Sequence, residues 1–113
     1  MFNESKNKVF FADEKIKNFF EKLKCGTSEE KQLYNFIDRA INDLCIDPRA
    51  YIEIRREKWP KEYIRKYRIT NLWKYDLPNG WRLIYTMKKE KVEIMSIILE
   101  WFSHKEYERK FGY

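Results

Sequence analysis

The feature that most constrains this chain is a change of hydrophobic period near residue 71. Upstream, apolar residues recur at helical spacing: Ile16, Phe19, Phe20 and Leu23, then Leu33, Phe36, Ile37, Ala40, Ile41 and Leu44. Downstream, the segments NLWKYDL (71–77), WRLIYTMK (81–88) and VEIMSIILEWF (92–102) read as strands, with PNG and KEK as their connections. Helices first and consecutive strands afterwards describe an α+β chain whose strands form an antiparallel meander. The 113 residues suffice for one domain, 1–113, and not for two.

Local signals mark the element ends. Residues 8–12 (KVFFA) read as a short N-terminal strand, after which Asp13 offers an N-cap to the first helix and Gly26 a C-terminal stop. Thr27 with Glu30 forms a capping box for the second helix, which runs to Asp47-Pro48, so the two helices make a hairpin with their apolar stripes inward. Residues 49–70 carry the least pattern, although Pro60 suits the first position of a short helix over 61–67. The last strand is apolar on both faces through Ile97, Ile98 and Leu99, which suits a central place in a sheet covered on at least one side. Ser103 with Glu106 makes a second capping box, so a short C-terminal helix is expected with His104 in its first turn.

Several classes fall away on content. No apolar run approaches the roughly 18 residues of a membrane span, and residues 1–8 are polar without the apolar centre of a signal peptide. The expectation is a cytoplasmic protein with no membrane partner. Cys25 and Cys45 lie far apart without a CxxC motif and His104 is the single histidine, so neither a metal nor another cofactor is expected, and the thiols are expected reduced and packed. The net charge of +6 is concentrated in residues 49–75, where nine basic side chains face three acidic ones and alternate with Tyr51, Trp59, Tyr63, Tyr67, Trp73 and Tyr75. Cations release phosphate counterions and rings stack on bases, which points the segment toward nucleic acid; the other reading is a solvated surface whose rings are core.

The strand pair around PNG carries the sharpest inference. Alternation puts Leu72, Lys74 and Asp76 on one face and Trp73, Tyr75 and Leu77 on the other, with Trp81, Leu83, Tyr85 and Met87 as the apolar set of the next strand. A three-residue loop with Gly80 in the left-handed position sets Asp76 opposite Arg82 and puts Lys74 and Arg82 on one face. A two-residue Asn-Gly turn would separate them. Arg82 is then open to two roles, a cross-strand ion pair with Asp76 or an anion ligand.

The run GWRLIY (80–85), the aliphatic strand after it and the terminal HKEY (104–107) resemble the RelE/ParE superfamily of toxin–antitoxin toxins, over a span from about Val9 to Tyr113. The resemblance implies a short strand, a two-helix hairpin on an antiparallel meander and a small C-terminal helix. It further implies a metal-independent endoribonuclease that cleaves mRNA on the ribosome and is held inactive by a cognate acidic antitoxin. Arg82 falls at the family's phosphate-binding arginine, Lys74 at a strand lysine, and His104 and Tyr107 at a C-terminal histidine and aromatic residue. Lys105 and Arg109 would assist, and Lys61, Arg65, Lys66 and Arg68 lie in a stretch where the family is basic and would contact RNA. Asp76 stands where the RelE type carries another lysine, and the connecting loop is one residue shorter.

Cleaving RNA without metal uses the 2′-hydroxyl as nucleophile, so a protein must remove its proton, stabilise a crowded phosphorane and protonate the leaving 5′-oxygen. On the resemblance, His104 is one proton carrier, Arg82 and Lys74 form the phosphate clamp, and Tyr107 orients or stacks. The second carrier is open between Asp76, a lysine of the basic segment and a group of the ribosomal RNA. His104 as a helix-start residue bonded to backbone and Tyr107 as plain packing are the competing structural roles. Relatives that share this scaffold poison DNA gyrase by binding, and others are inactive antitoxin- or nucleic-acid-binding proteins, so a non-nuclease function stays open.

Overall fold

Residues 7–112 are described by a computed structural model; residues 1–6, most of the polar N-terminal segment noted above, and Tyr113 lie outside the described residues. The elements in chain order are β1 (Asn7–Phe11), α1 (Glu14–Leu23), α2 (Ser28–Ile46), β2 (Ile52–Glu53), α3 (Lys61–Tyr67), β3 (Trp73–Asp76), β4 (Arg82–Glu90), β5 (Glu93–Phe102) and α4 (His104–Phe111). The α+β class, the helix pair, the β3–β4–β5 meander and the C-terminal helix agree with the sequence pattern. The sheet is larger than that pattern, with order β1-β5-β4-β3-β2. β1 joins β5 in parallel, from Asn7 opposite Ile94 to Phe11 opposite Ile98, and the two-residue β2 extends the other edge against β3.

The helix starts follow their local chemistry. Asp13 Oδ1 accepts from the Ile16 amide at 2.9 Å, and the Thr27–Glu30 box is reciprocal, with bonds of 3.2 and 2.9 Å. Two expectations at helix ends need correction. Gly26 is not in the left-handed conformation; it is required by space, because a Cβ there would meet the Glu30 side chain at 2.5–2.9 Å and disturb the capping box. Pro60 is the N-cap of α3 rather than its first helical residue, with ψ 133° extended and its carbonyl accepting from the Tyr63 amide.

Strand alternation sends the sheet's two faces into two cores. One face contributes Leu77, Leu83, Tyr85 and Ile98, which pack with Ile16, Phe20, Leu33, Ile37, Ala40 and Leu44 of α1 and α2. The other contributes Leu72, Ile84 and Leu99, which pack with Tyr63 of α3 and with Tyr107 and Phe111 of α4. The sheet is therefore covered on both sides. Each fully buried aliphatic side chain, such as Ile37, Leu44 or Ile84, contributes about 1.5–3 kcal/mol of transfer free energy.

The aromatic residues interleaved with the basic segment belong largely to this scaffold. Tyr63 is 1% exposed, and its hydroxyl donates to Glu100 Oε1 at 2.5 Å. The Tyr75 hydroxyl donates to Asp43 Oδ2 at 2.5 Å, Tyr51 packs on the Tyr75 ring at 4.5 Å, and the Trp59 indole donates to the Ile54 carbonyl. These rings pack into the scaffold, Tyr63 fully and Tyr51, Trp59 and Tyr75 in part. Of the two cysteines, Cys25 is exposed rather than packed and Cys45 is half-buried.

Desolvation raises the Tyr63, Tyr75 and Tyr85 phenols well above their ordinary range, and the bonded carboxylates Glu100 and Asp43 add to the shift for Tyr63 and Tyr75. The folded protein binds these protons more tightly than the unfolded chain, so their contribution to stability is complete below the unfolded value of about 10 and is lost as pH rises beyond it. Denaturant midpoints should fall above pH about 10, and absorbance titration should show tyrosines that ionise only as the fold is lost. Normal titration of every tyrosine in the folded state would contradict this assignment.

Candidate functional site

The site is built on the turn between β3 and β4. The Leu77 amide donates to the Trp81 carbonyl at 2.9 Å, Asp76 pairs with Arg82, and Lys74 pairs with Ile84, which is the three-residue-loop register. Asn79 and Gly80 are both left-handed, at φ 61° and 80°, conformations that Asn tolerates and Gly adopts without strain. Lys74, Asp76 and Arg82 consequently share the sheet face that α4 covers.

A bulge in β5 brings in the remaining residues. Tyr85 lies opposite Ile98 and Ile84 opposite Glu100, so Leu99 is passed over and Arg82 faces Phe102, the last strand residue. Ser103 follows as the N-cap of α4; its Oγ accepts from the Glu106 amide at 3.3 Å, while Glu106 Oε1 accepts from the Ser103 amide at 2.9 Å. This capping box starts α4 beside Arg82. The imidazole Nδ1 of His104 stands 3.5 Å from Arg82 Nη2. One turn on, the Tyr107 ring lies beneath both cations, 5.2 Å from Lys74 Nζ and 5.6 Å from Arg82 Cζ, and stacks on Phe111 at 4.6 Å.

The four residues singled out as catalytic therefore meet at one end of the sheet. Arg82 Nη1 donates to the Gly80 and Trp81 carbonyls at 2.7 and 3.3 Å, which fixes the guanidinium plane. A guanidinium only donates, so a hydrogen bond at the Arg82 contact requires His104 Nδ1 as the acceptor, while Nε2 stands 3.5 Å from Glu108 Oε1. Tyr107 is 4% exposed, which makes it a platform under the cations rather than a surface for a base to stack on.

Asp76 completes the cluster. Its Oδ1 lies 3.0 Å from Arg82 Nε and 3.4 Å from Lys74 Nζ. The Arg82 and Lys74 side chains are 17% and 18% exposed, whereas Asp76 is 47% exposed, so the carboxylate lies over two largely covered cations. The Nε–H of Arg82 is buried and lacks a hydrogen-bond acceptor despite this closeness: charge, not a directed bond, holds the pair. The ion pair foreseen for Arg82 exists, and it coexists with the approach of His104.

The other basic candidates do not join this cluster. Lys61, Arg65 and Lys66 are exposed on α3, Arg68 is its exposed left-handed C-cap, and Lys105 and Arg109 are exposed on α4. Lys66 is engaged by Asp13 at 3.7 Å and lies over the Tyr67 ring. The Lys110–Glu62 ion pair and the Lys58 bond to the Gly112 carbonyl tie α3 and its approach to α4. A cleft of about 550 Å³ around Thr70, Asn71 and Met87, and another of about 700 Å³ between α2 and the Trp81–Trp101 end of the sheet, do not include Arg82, Lys74 or His104. Among the described residues, no group of three or more His, Cys, Asp or Glu side chains is arranged to hold a metal ion, and no helix is long and apolar enough to cross a membrane.

Comparison with family models, with curated proteins and with solved structures finds no match.

Gly80 joins the turn to the helix: a Cβ there would sit 3.2 Å from His104 Cβ, and φ 80° disfavours any side chain. Gly80→Ala should cost about 1–2 kcal/mol and move His104 relative to Arg82. Denaturant melts and imidazole NMR shifts measure the two effects, and a variant with both unchanged would show that Gly80 does not set this approach.

Proposed function

We propose that this chain is the toxin of a toxin–antitoxin pair related to the RelE/ParE superfamily, and that it cleaves mRNA at the ribosome by 2′-hydroxyl attack without metal. The observation that carries the reading is the meeting of His104 with Arg82 over the Tyr107 ring, with Lys74 as a second cation on that ring. Residues from the β3–β4 turn and from the far end of the chain supply a proton carrier and a phosphate clamp within one contact distance, two of the three parts that phosphodiester cleavage needs, the third being a second proton carrier. Lys61, Arg65, Lys66 and Arg68 on one side and Lys105 and Arg109 on the other would guide the RNA backbone, and an acidic antitoxin would mask the same charges.

In this mechanism Arg82 and Lys74 take the scissile phosphate, and their charge grows in value as the phosphorane gathers negative charge. His104 moves one of the two protons, from the 2′-hydroxyl or to the leaving 5′-oxygen, a second carrier outside these four residues moves the other, and Glu108 beside Nε2 orients the ring. Tyr107 holds both cations in place from below. The Asp76 ion pair favours a second reading, in which this surface binds a partner without cleaving it, as in a ParE-like gyrase poison or an inactive antitoxin- or nucleic-acid-binding relative.

Induced expression followed by primer extension on translated mRNA separates these readings. The wild type should create new 5′ ends within translated codons, and His104→Ala and Arg82→Ala should each reduce them by about 10²-fold or more. The same pattern of ends from all three chains would exclude the nuclease. Growth arrest without new ends would favour the binding poison.

A further inference from the structure

We propose that Asp76 is the resident occupant of the phosphate position, a carboxylate from the chain itself that an incoming phosphate must displace. The proposal rests on the phosphate-clamp role given above to Arg82 and Lys74. A single oxygen, Oδ1, serves both cations, at 3.0 and 3.4 Å, as one oxygen of a bridging phosphate would. Asp76 is also far more exposed than either cation, so the carboxylate stands on the solvent side, where a ligand arrives.

The surroundings separate a movable anion from fixed cations. Asp76 is the last residue of β3, next to the Pro78–Gly80 turn, and its side chain can rotate outward while its backbone stays paired with Arg82. Arg82 remains held by the Gly80 and Trp81 carbonyls, and both cations remain over Tyr107. The present occupant also fits incompletely, because the buried Nε–H of Arg82 has no acceptor. A tetrahedral phosphate offers several oxygens and more charge, so one can meet Nε while another meets Lys74 Nζ.

Displacement has a consequence for ligand choice. A built-in carboxylate competes with every small anion at high effective concentration, so the site resists monovalent anions and free carboxylates. It yields to a phosphodiester chain whose neighbouring phosphates are held at the same time by the exposed cations of α3 and α4. Asp76 thus sets a threshold for the class of ligand and takes no proton from it.

The test compares the full chain with Asp76→Asn, Arg82→Gln and the double variant, titrated with inorganic phosphate and with a short single-stranded RNA carrying 2′-O-methyl groups that prevent cleavage. Asp76→Asn should bind phosphate roughly five- to tenfold more tightly than wild type at fixed ionic strength, and the double variant should lose that gain. Asp76→Ser serves as a second variant, and thermal melts verify that each is folded. Phosphate binding by Asp76→Asn that equals or falls below wild type overturns the proposal. The clamp itself fails, and the proposal with it, if Arg82→Gln binds the RNA as wild type does. Loss of cleavage in Asp76→Asn with unchanged phosphate affinity would also overturn it, since Asp76 would then be a proton carrier.

Discussion

The cross-strand pairing of Asp76 with Arg82 at the mouth of the β3–β4 turn is the constraint from which the rest of the site follows. Side chains alternate with a period of two, so a slip of one residue would send Arg82 into the α1–α2 core and Leu83 out of it. The buried positions of Leu83 and Tyr85 resist that slip, because it would expose two large apolar groups and bury a guanidinium. The left-handed Asn79 and Gly80 make the turn that this register needs. Packing on one face thereby fixes electrostatics on the other.

The cations are held near the protein interior by several weak contacts rather than by one strong bond. Covering Arg82 and Lys74 to this extent costs solvation, which is offset by the Tyr107 ring, the turn carbonyls and the Asp76 carboxylate. No one of these contacts saturates the guanidinium, since Nε–H is left without an acceptor. A group kept in place and incompletely satisfied is suited to receive an anion. The same arrangement explains why Tyr107 belongs to the core: a platform that moved would release both charges.

α4 links the site to the second core. Its first residue, His104, approaches Arg82, while Tyr107 and Phe111 pack into the layer formed with α3. The β5 bulge matters here because passing over Leu99 reverses the facing of every later residue in the strand. Without it Phe102 would point to the α1–α2 face, and the helix start that follows would leave from the wrong side of the sheet. The Lys110–Glu62 pair then joins α4 to α3, so the exposed basic residues of both helices are carried on one connected layer.

Much of this was legible before any coordinates. The change of period at residue 71, both capping boxes and the PNG turn are local signals, and local signals determine element type, helix starts and hairpin register because they depend on neighbours within a few residues. The shared face of Lys74 and Arg82 followed from alternation for a three-residue loop, with turn type left open, and the approach of His104 and Tyr107 to them could be foreseen only through the resemblance. What the tertiary structure alone decided is non-local: the parallel pairing of β1 with β5, the strand β2 in a stretch with little pattern, the bulge at Leu99 and the burial of Tyr63 and Tyr107. It also decided that Asp76 lies over the two cations that it neutralises. These features depend on contacts between residues distant in the chain, whose free energy comes from excluding water between whole faces, and no spacing within a single segment encodes it.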